Sequence, residues 1–297
     1  MRKLFLYSLN TVLYWISGVF PKNKNIWIFG AWFGGKYSDN SRYLFEYINK
    51  NHSEIRAVWV TDSLDVINEL NAKNYEVYKR YSVQSILIGL RAKYSIFVQA
   101  NIADCMAFLN NKNTFNIQLW HGMPLKKIGF DDSISIEKYR KSNLKELIFP
   151  FLRIKYSLII SSSMEDKVNF STAFMGQYKS ISITGYPRND ALFNIKKTDN
   201  FIITYLPTFR DSAHNSVDLF SPYNFDIELW EQKFLDLNVT LNIKMHPVNK
   251  PKSILLSTFK DCKRIRFIDE MDAVEILSNT DILITDYSSV YFDYLLL

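Results

Sequence analysis

The chain has 297 residues, 47% of them hydrophobic and 22% charged, which excludes a disordered polypeptide and supplies core material for one large domain or two. A formal charge of +6 favours acidic partners without choosing among nucleic acid, anionic lipid and phosphorylated substrate. The two cysteines, Cys105 and Cys262, are far apart and in unlike contexts, which argues against a disulfide framework and fits a reducing compartment.

In chain order, Met1-Arg2-Lys3 precedes an apolar run from Leu4 to Phe20 that Ser8, Asn10, Thr11 and Ser17 interrupt. The run is near the lower length limit for a spanning helix and lacks a small-residue cleavage site. Basic residues flank both ends, so charge sets no orientation. We assign residues 1–22 to a membrane-interface helix; a docked helix and a true span stay open as alternatives. Asn25 to Gly30 then reads as a buried strand, followed by a Gly-containing loop (AWFGGKYSDN) and a helix from Ser41 that Asp39, Asn40 or Ser41 caps. Strands at 55–60, 77–78, 94–99 and 115–120 alternate with helical segments at 63–70 and 82–91. Their apolar runs are continuous rather than alternating, the mark of a parallel sheet covered on both faces.

From Ile136 to Lys155 the chain is strongly basic, which reads equally as a solvated helical face or as a patch facing membrane or phosphate. Strands follow at 158–160 and 180–184, then the turn Gly185-Tyr186-Pro187-Arg188-Asn189-Asp190. The polar stretch 194–200 lacks apolar periodicity and is the linker candidate. Beyond it the pattern restarts, with strands at 201–206, 240–245, 266–268 and 281–285 and helices near 226–237, 273–277 and 290–297. The predicted architecture is α/β, with two Rossmann-like doubly wound domains facing a cleft, over 23–195 and 196–297. The second domain reads as cut short, because the sequence stops inside a helix.

Four strands end in polar residues at their carboxyl ends, where open α/β sheets bind ligands: Trp120-His121-Gly122, Pro207-Thr208-Phe209-Arg210, Met245-His246-Pro247 and Thr285-Asp286-Tyr287-Ser288-Ser289. His121, with Lys126 and Lys127 just beyond, suits proton transfer beside a phosphate. Asp286, Ser288 and Ser289 stand before a helix and suit an anion, although a plain N-cap explains any one of them. Arg210 offers a planar cationic fork, and His246 a donor to a phosphate or a leaving group. No two histidines have ligand spacing, so no metal is expected. The absence of GxGxxG and of a phosphate-loop GKS or GKT disfavours dinucleotide enzymes and nucleoside triphosphatases. The basic run is only a fair nucleic-acid candidate, and no nucleic-acid partner is assigned.

In order along the chain, GGKYSDNSRYLFEYI, WHGMPLKKIG, ITGYPRNDALF, YLPTFRD, KMHP and DILITDYSSVYFDYLLL resemble the CDP-glycerol glycerophosphotransferases, the teichoic-acid primases and polymerases of bacterial cell-envelope synthesis. Thr is usual in that family where this chain has Met123. The resemblance implies a GT-B type fold with an acceptor-side N-terminal domain and a nucleotide-binding C-terminal one. It implies CDP-glycerol as donor, a lipid-linked acceptor, no cofactor, and peripheral attachment to the cytoplasmic face of the cell membrane. A homo-oligomer is compatible with it. His121 then removes the acceptor proton, and His246 acts with it. Thr208, Arg210, Asp286, Ser288, Ser289, Lys126, Lys127 and Arg188 make up the substrate and phosphate set. A GT-B sugar transferase, a CDP-ribitol enzyme and a non-catalytic membrane-associated binding protein remain as alternatives.

Overall fold

The computed structural model describes residues 2–140, 143–193, 200–208, 224–245, 257, 259–268 and 272–297. Contacts divide the chain into two units, Met1–Arg188 and Asn189–Leu297. Of the linker candidate at 194–200, residues 194–199 lie outside the described residues.

The first unit opens with α1 (Arg2–Val19) and β1 (Asn23–Phe29). It then alternates through α2 (Asp39–Asn51), β2 (Arg56–Thr61), α3 (Leu64–Ala72), β3 (Val77–Lys79), α4 (Val83–Arg91) and β4 (Ala92–Phe97). The short α5 (Asn101–Asp104) and β5 (Phe115–Gln118) follow, then α6 (Ser133–Arg140), α7 (Asn143–Ile148), β6 (Leu158–Ser161), α8 (Met164–Ala173) and β7 (Ile181–Ile183). The seven strands form one sheet in the order β3-β2-β1-β4-β5-β6-β7, parallel at every pairing.

Side-chain alternation distributes each strand between two cores. Ile28, Val58, Val60 and Phe97 join Leu13, Met106 and Phe108 in one cluster, while Phe29, Trp59, Ile96 and Val98 join Phe45, Val66 and Leu70 in the other. This explains the continuous apolar runs, since both faces of the sheet are covered. The strand order reverses direction between β1 and β4, which places the loops after those strands at the usual ligand position of such sheets.

The polar residues of α1, which in sequence look like interruptions of an apolar run, are its docking contacts. Asn10 Oδ1 accepts from the Phe108 backbone N–H at 3.0 Å and from the Tyr81 hydroxyl at 3.2 Å. Ser17 Oγ accepts from Asn111 Nδ2 at 3.0 Å and from Lys22 Nζ at 2.7 Å. Lys22 also donates to the Leu90 carbonyl at 2.9 Å, and burial, helped by Lys93, lowers its pKa to about 8. Leu13 is buried on the same side. The opposite side leaves Phe5, Val12, Trp15 and Val19 in solvent, Val19 being 83% exposed. Among the described residues no helix is long and apolar enough to cross a membrane.

The second unit contains β8 (Phe201–Leu206), α9 (Ile227–Asp236), β9 (Val239–Ile243), β10 (Ile265–Phe267), the short helix Ala273–Leu277, β11 (Ile282–Thr285) and the short helix Val290–Tyr294. Asp226 caps α9, accepting from the Leu229 N–H at 3.0 Å. Among the described residues the strands form a parallel sheet in the order β10-β9-β8-β11. Phe234, Leu241, Ile243, Met245, Phe259 and Ile265 form its core.

Candidate active site

The strand expected over 115–120 stops two residues early. Gln118 ends it by bonding locally: its Oε1 accepts from the Trp120 N–H at 3.0 Å, and its Nε2 donates to the Gln99 carbonyl at 2.7 Å. Trp120 then takes a left-handed conformation (φ +55°) and Gly122 a φ of +133°. A non-glycine residue in that region costs roughly 1–2 kcal/mol, so the surroundings must hold the bend. They do so with Trp120 itself, whose ring packs edge-on against Phe170 and Phe174 at 5.6 and 5.2 Å.

The bend presents His121 at the carboxyl end of β5. Its imidazole stacks on Trp120 at 4.4 Å between centroids and lies 5.9 Å from the Trp32 ring. Nδ1 is 3.1 Å from the Val98 carbonyl. A carbonyl only accepts, so Nδ1 carries the proton and Nε2 is the basic nitrogen. Burial holds the pKa below the ordinary imidazole value, and the Arg188 guanidinium acts in the same direction; Asp39 and the Val98 bond oppose them. The group is therefore neutral near pH 7 and competent to take a proton.

The Val98 carbonyl is itself fixed. Asp104, fully buried, accepts from the backbone N–H groups of Val98 at 3.0 Å, Gln99 at 2.6 Å and Phe33 at 2.8 Å. It thereby ties the end of β4 to the loop after β1. Burial raises its pKa to about 6 against those donors and Arg80, so it remains a carboxylate at neutral pH. Arg80 donates to the carbonyls of Ala103 and Cys105, holding α5 in place. Gly30 is required by this approach, because a Cβ there would meet the Asp104 carbonyl oxygen at 2.3 Å.

Asp39 and Asn40 do not cap α2 as expected. Ser38 occupies the cap position, and the Asn40 side chain instead reaches β5, donating from Nδ2 to the carbonyls of Leu119 at 3.2 Å and Trp120 at 2.9 Å. Its Oδ1 accepts from the Arg188 backbone N–H at 3.1 Å. Arg188, read in sequence as a substrate-binding cation, is only 8% exposed. Its Nη1 donates to Asp39 Oδ1 at 2.8 Å and to the His121 carbonyl at 3.0 Å. The guanidinium is thus turned into the protein and holds the histidine turn.

Lys126 and Lys127 are exposed in the loop after His121. Lys36 lies over the Trp32 ring at 5.9 Å, a cation near the rim that motif reading did not single out. In the second unit, β8 and β11 are neighbours, so Thr208 and Asp286 meet: the Thr208 N–H donates to Asp286 Oδ1 at 2.8 Å. Ser288 follows, its Oγ accepting from the Val290 N–H at 3.4 Å, and Ser289 precedes the helix Val290–Tyr294 without a side-chain cap bond. Arg210 and His246 lie outside the described residues. Asp39 and Asn40 read in sequence only as cap candidates in the SDN run, and Asp104 was not singled out.

Known proteins resemble this chain along nearly its whole length. The chain is 31% identical to a teichoic acid poly(glycerol phosphate) polymerase of Bacillus spizizenii, over 97% of this chain and 76% of the relative. It is 30% identical to a teichoic acid glycerol-phosphate transferase of Staphylococcus aureus, over 99% of this chain and 77% of the relative. The solved wall teichoic acid polymerase TagF superposes with a TM-score of 0.70 at 26% identity, covering 97% of this chain and 72% of that one. The two parallel α/β units are thus of the GT-B type. With residues 12–297 matching the sequence model of the CDP-glycerol:poly(glycerophosphate) glycerophosphotransferases, and a neutral histidine set at a sheet edge in the WHG motif, the chain belongs to that family of transferases.

Proposed function

We propose that the protein transfers glycerol phosphate from CDP-glycerol to a hydroxyl of a lipid-linked cell-envelope acceptor, with His121 as general base. The observation that carries the base assignment is the bond from His121 Nδ1 to the Val98 carbonyl, which leaves Nε2 to accept a proton. The acceptor O–H gives its proton to Nε2 while its oxygen bonds to the β-phosphorus of the donor. The bridging P–O bond breaks, its electron pair leaves with CMP, and a phosphodiester results. Thr208, Asp286, Ser288 and Ser289, with Arg210 and His246, orient the pyrophosphate and disperse its charge in the second unit, which serves the nucleotide. Lys126 and Lys127 add positive potential on the acceptor side. The acceptor's lipid is met at a membrane surface by the solvent-facing side of α1, where Phe5, Val12, Trp15 and Val19 supply the apolar contact.

The test is CMP release from CDP-glycerol in the presence of lipid-linked acceptors, run beside CDP-ribitol and nucleotide sugars. His121→Ala should lower kcat roughly 100-fold or more, the usual scale for a lost general base, while donor binding persists. Wild-type turnover by the variant removes His121 from the role, and preference for another donor replaces the substrate.

A further inference from the structure

We propose that Asp39, Asn40 and Arg188 form a positioning clamp for His121, an inference that rests on His121 acting as the base. Three successive carbonyls at the end of β5, those of Leu119, Trp120 and His121, are each held by a side chain from outside the strand. Two of those bonds come from Asn40, which is fully buried and whose oxygen is engaged by the Arg188 backbone. The third comes from Arg188, whose Nη1 bridges the His121 carbonyl and Asp39. The ring of contacts closes through the Asn40 N–H, which donates to Asp39 Oδ1 at 2.9 Å.

A buried ion pair adds little to stability compared with apolar side chains of similar volume, and its better-attested use is to fix one arrangement among several. Here the arrangement fixed is a backbone turn containing a left-handed tryptophan and a glycine at φ +133°. If the carbonyls of 119–121 rotate, the imidazole leaves Val98 and its tautomer is no longer set. The clamp draws on two places far apart in sequence, the start of α2 and the turn after β7, and brings both to one strand end. None of the three residues contacts the ring in place of Val98. They hold the backbone of His121, and Asp39 and Arg188 act on the ring only through their charge, so they are positioning residues.

The experiment is a double-mutant cycle on the turnover of CDP-glycerol with acceptor. Asn40→Ala alone should lower kcat about 10- to 100-fold, the scale of a displacement near 1 Å, with KM for the donor changed less than about 2-fold. Introduced into His121→Ala, the same change should cost less than about 2-fold further, because the clamp has nothing left to position. Arg188→Lys keeps a charge for Asp39 but replaces the fork with a point donor, and should follow the same pattern if Asn40→Ala fails to fold. An equal loss in both backgrounds overturns the clamp in favour of a general structural role. Normal turnover by Asn40→Ala and Arg188→Lys, with His121→Ala inactive, overturns the clamp and spares the base. An active His121→Ala removes both.

Discussion

Phe45 connects the core to the clamp. It lies in α2 just after Asp39 and Asn40, is fully buried, and meets Phe29, Trp59 and Tyr75 edge-on at 5.3, 5.4 and 5.3 Å. Replacing it with Ala removes most of an aromatic side chain that buries roughly 150–250 Å² in total, and leaves a cavity among rings that cannot collapse together. Transfer and cavity contributions together place the loss at about 3–5 kcal/mol, with the lost edge contacts favouring the upper half. For a unit spanning Met1–Arg188 this corresponds to a drop in Tm of roughly 6–20 °C. Five of the six tryptophans, at positions 15, 27, 32, 59 and 120, lie in that unit, so their fluorescence on heating follows it. Phe45→Leu, which retains much of the volume, should cost less than about 1.5 kcal/mol. A drop below about 2 °C for the alanine variant would show that α2 is not anchored through this ring, and the cavity reasoning would be refuted.

Two other outcomes follow from the geometry. With the His121 pKa held down by burial, the acid limb of kcat/KM should fall below the ordinary imidazole value of about 6.5, and Asp39→Asn should move it lower still because Asp39 favours the charged ring. The same sign makes this histidine a source of stability lost as pH falls from about 6.5 through its folded value, since the unfolded chain then binds more protons; a limb above 6.5, or an upward shift in the variant, excludes His121 as the titrating group. Trp15→Glu with Val19→Glu should weaken co-sedimentation with anionic vesicles by about 10-fold or more, as two apolar contacts are replaced by like charges, and unchanged binding would mean that α1 is not the membrane face.

The alternation of strands and helices was legible because a two-faced parallel sheet leaves continuous apolar runs, as in Val58-Trp59-Val60. The placement of His121, Thr208 and Asp286 at strand ends was legible because strand ends that carry polar groups announce themselves locally. The clamp was not, because its members share no local pattern: Asn40 and Leu119 are neighbours only once β1, β4 and β5 have lined up. The internal bonds of Arg188 were hidden for the same reason. A cation beside a turn suggests a ligand, and only the fold shows Asp39 opposite it. In α1 the hydropathy of the run concealed that Asn10 and Ser17 face inward and the apolar residues outward.

Arg188 closes the clamp as the last residue of the first unit, 67 positions after His121. At synthesis rates of about 5–20 residues per second, roughly 3–13 s separate the emergence of the two. β6 and β7 emerge within that interval, so the strands beside β5 are all made before the guanidinium that bonds the His121 turn. The last side-chain bond to the His121 turn therefore arrives with the final residue of the first unit. A chain cut before Arg188 holds the WHG motif without the guanidinium bond to its turn.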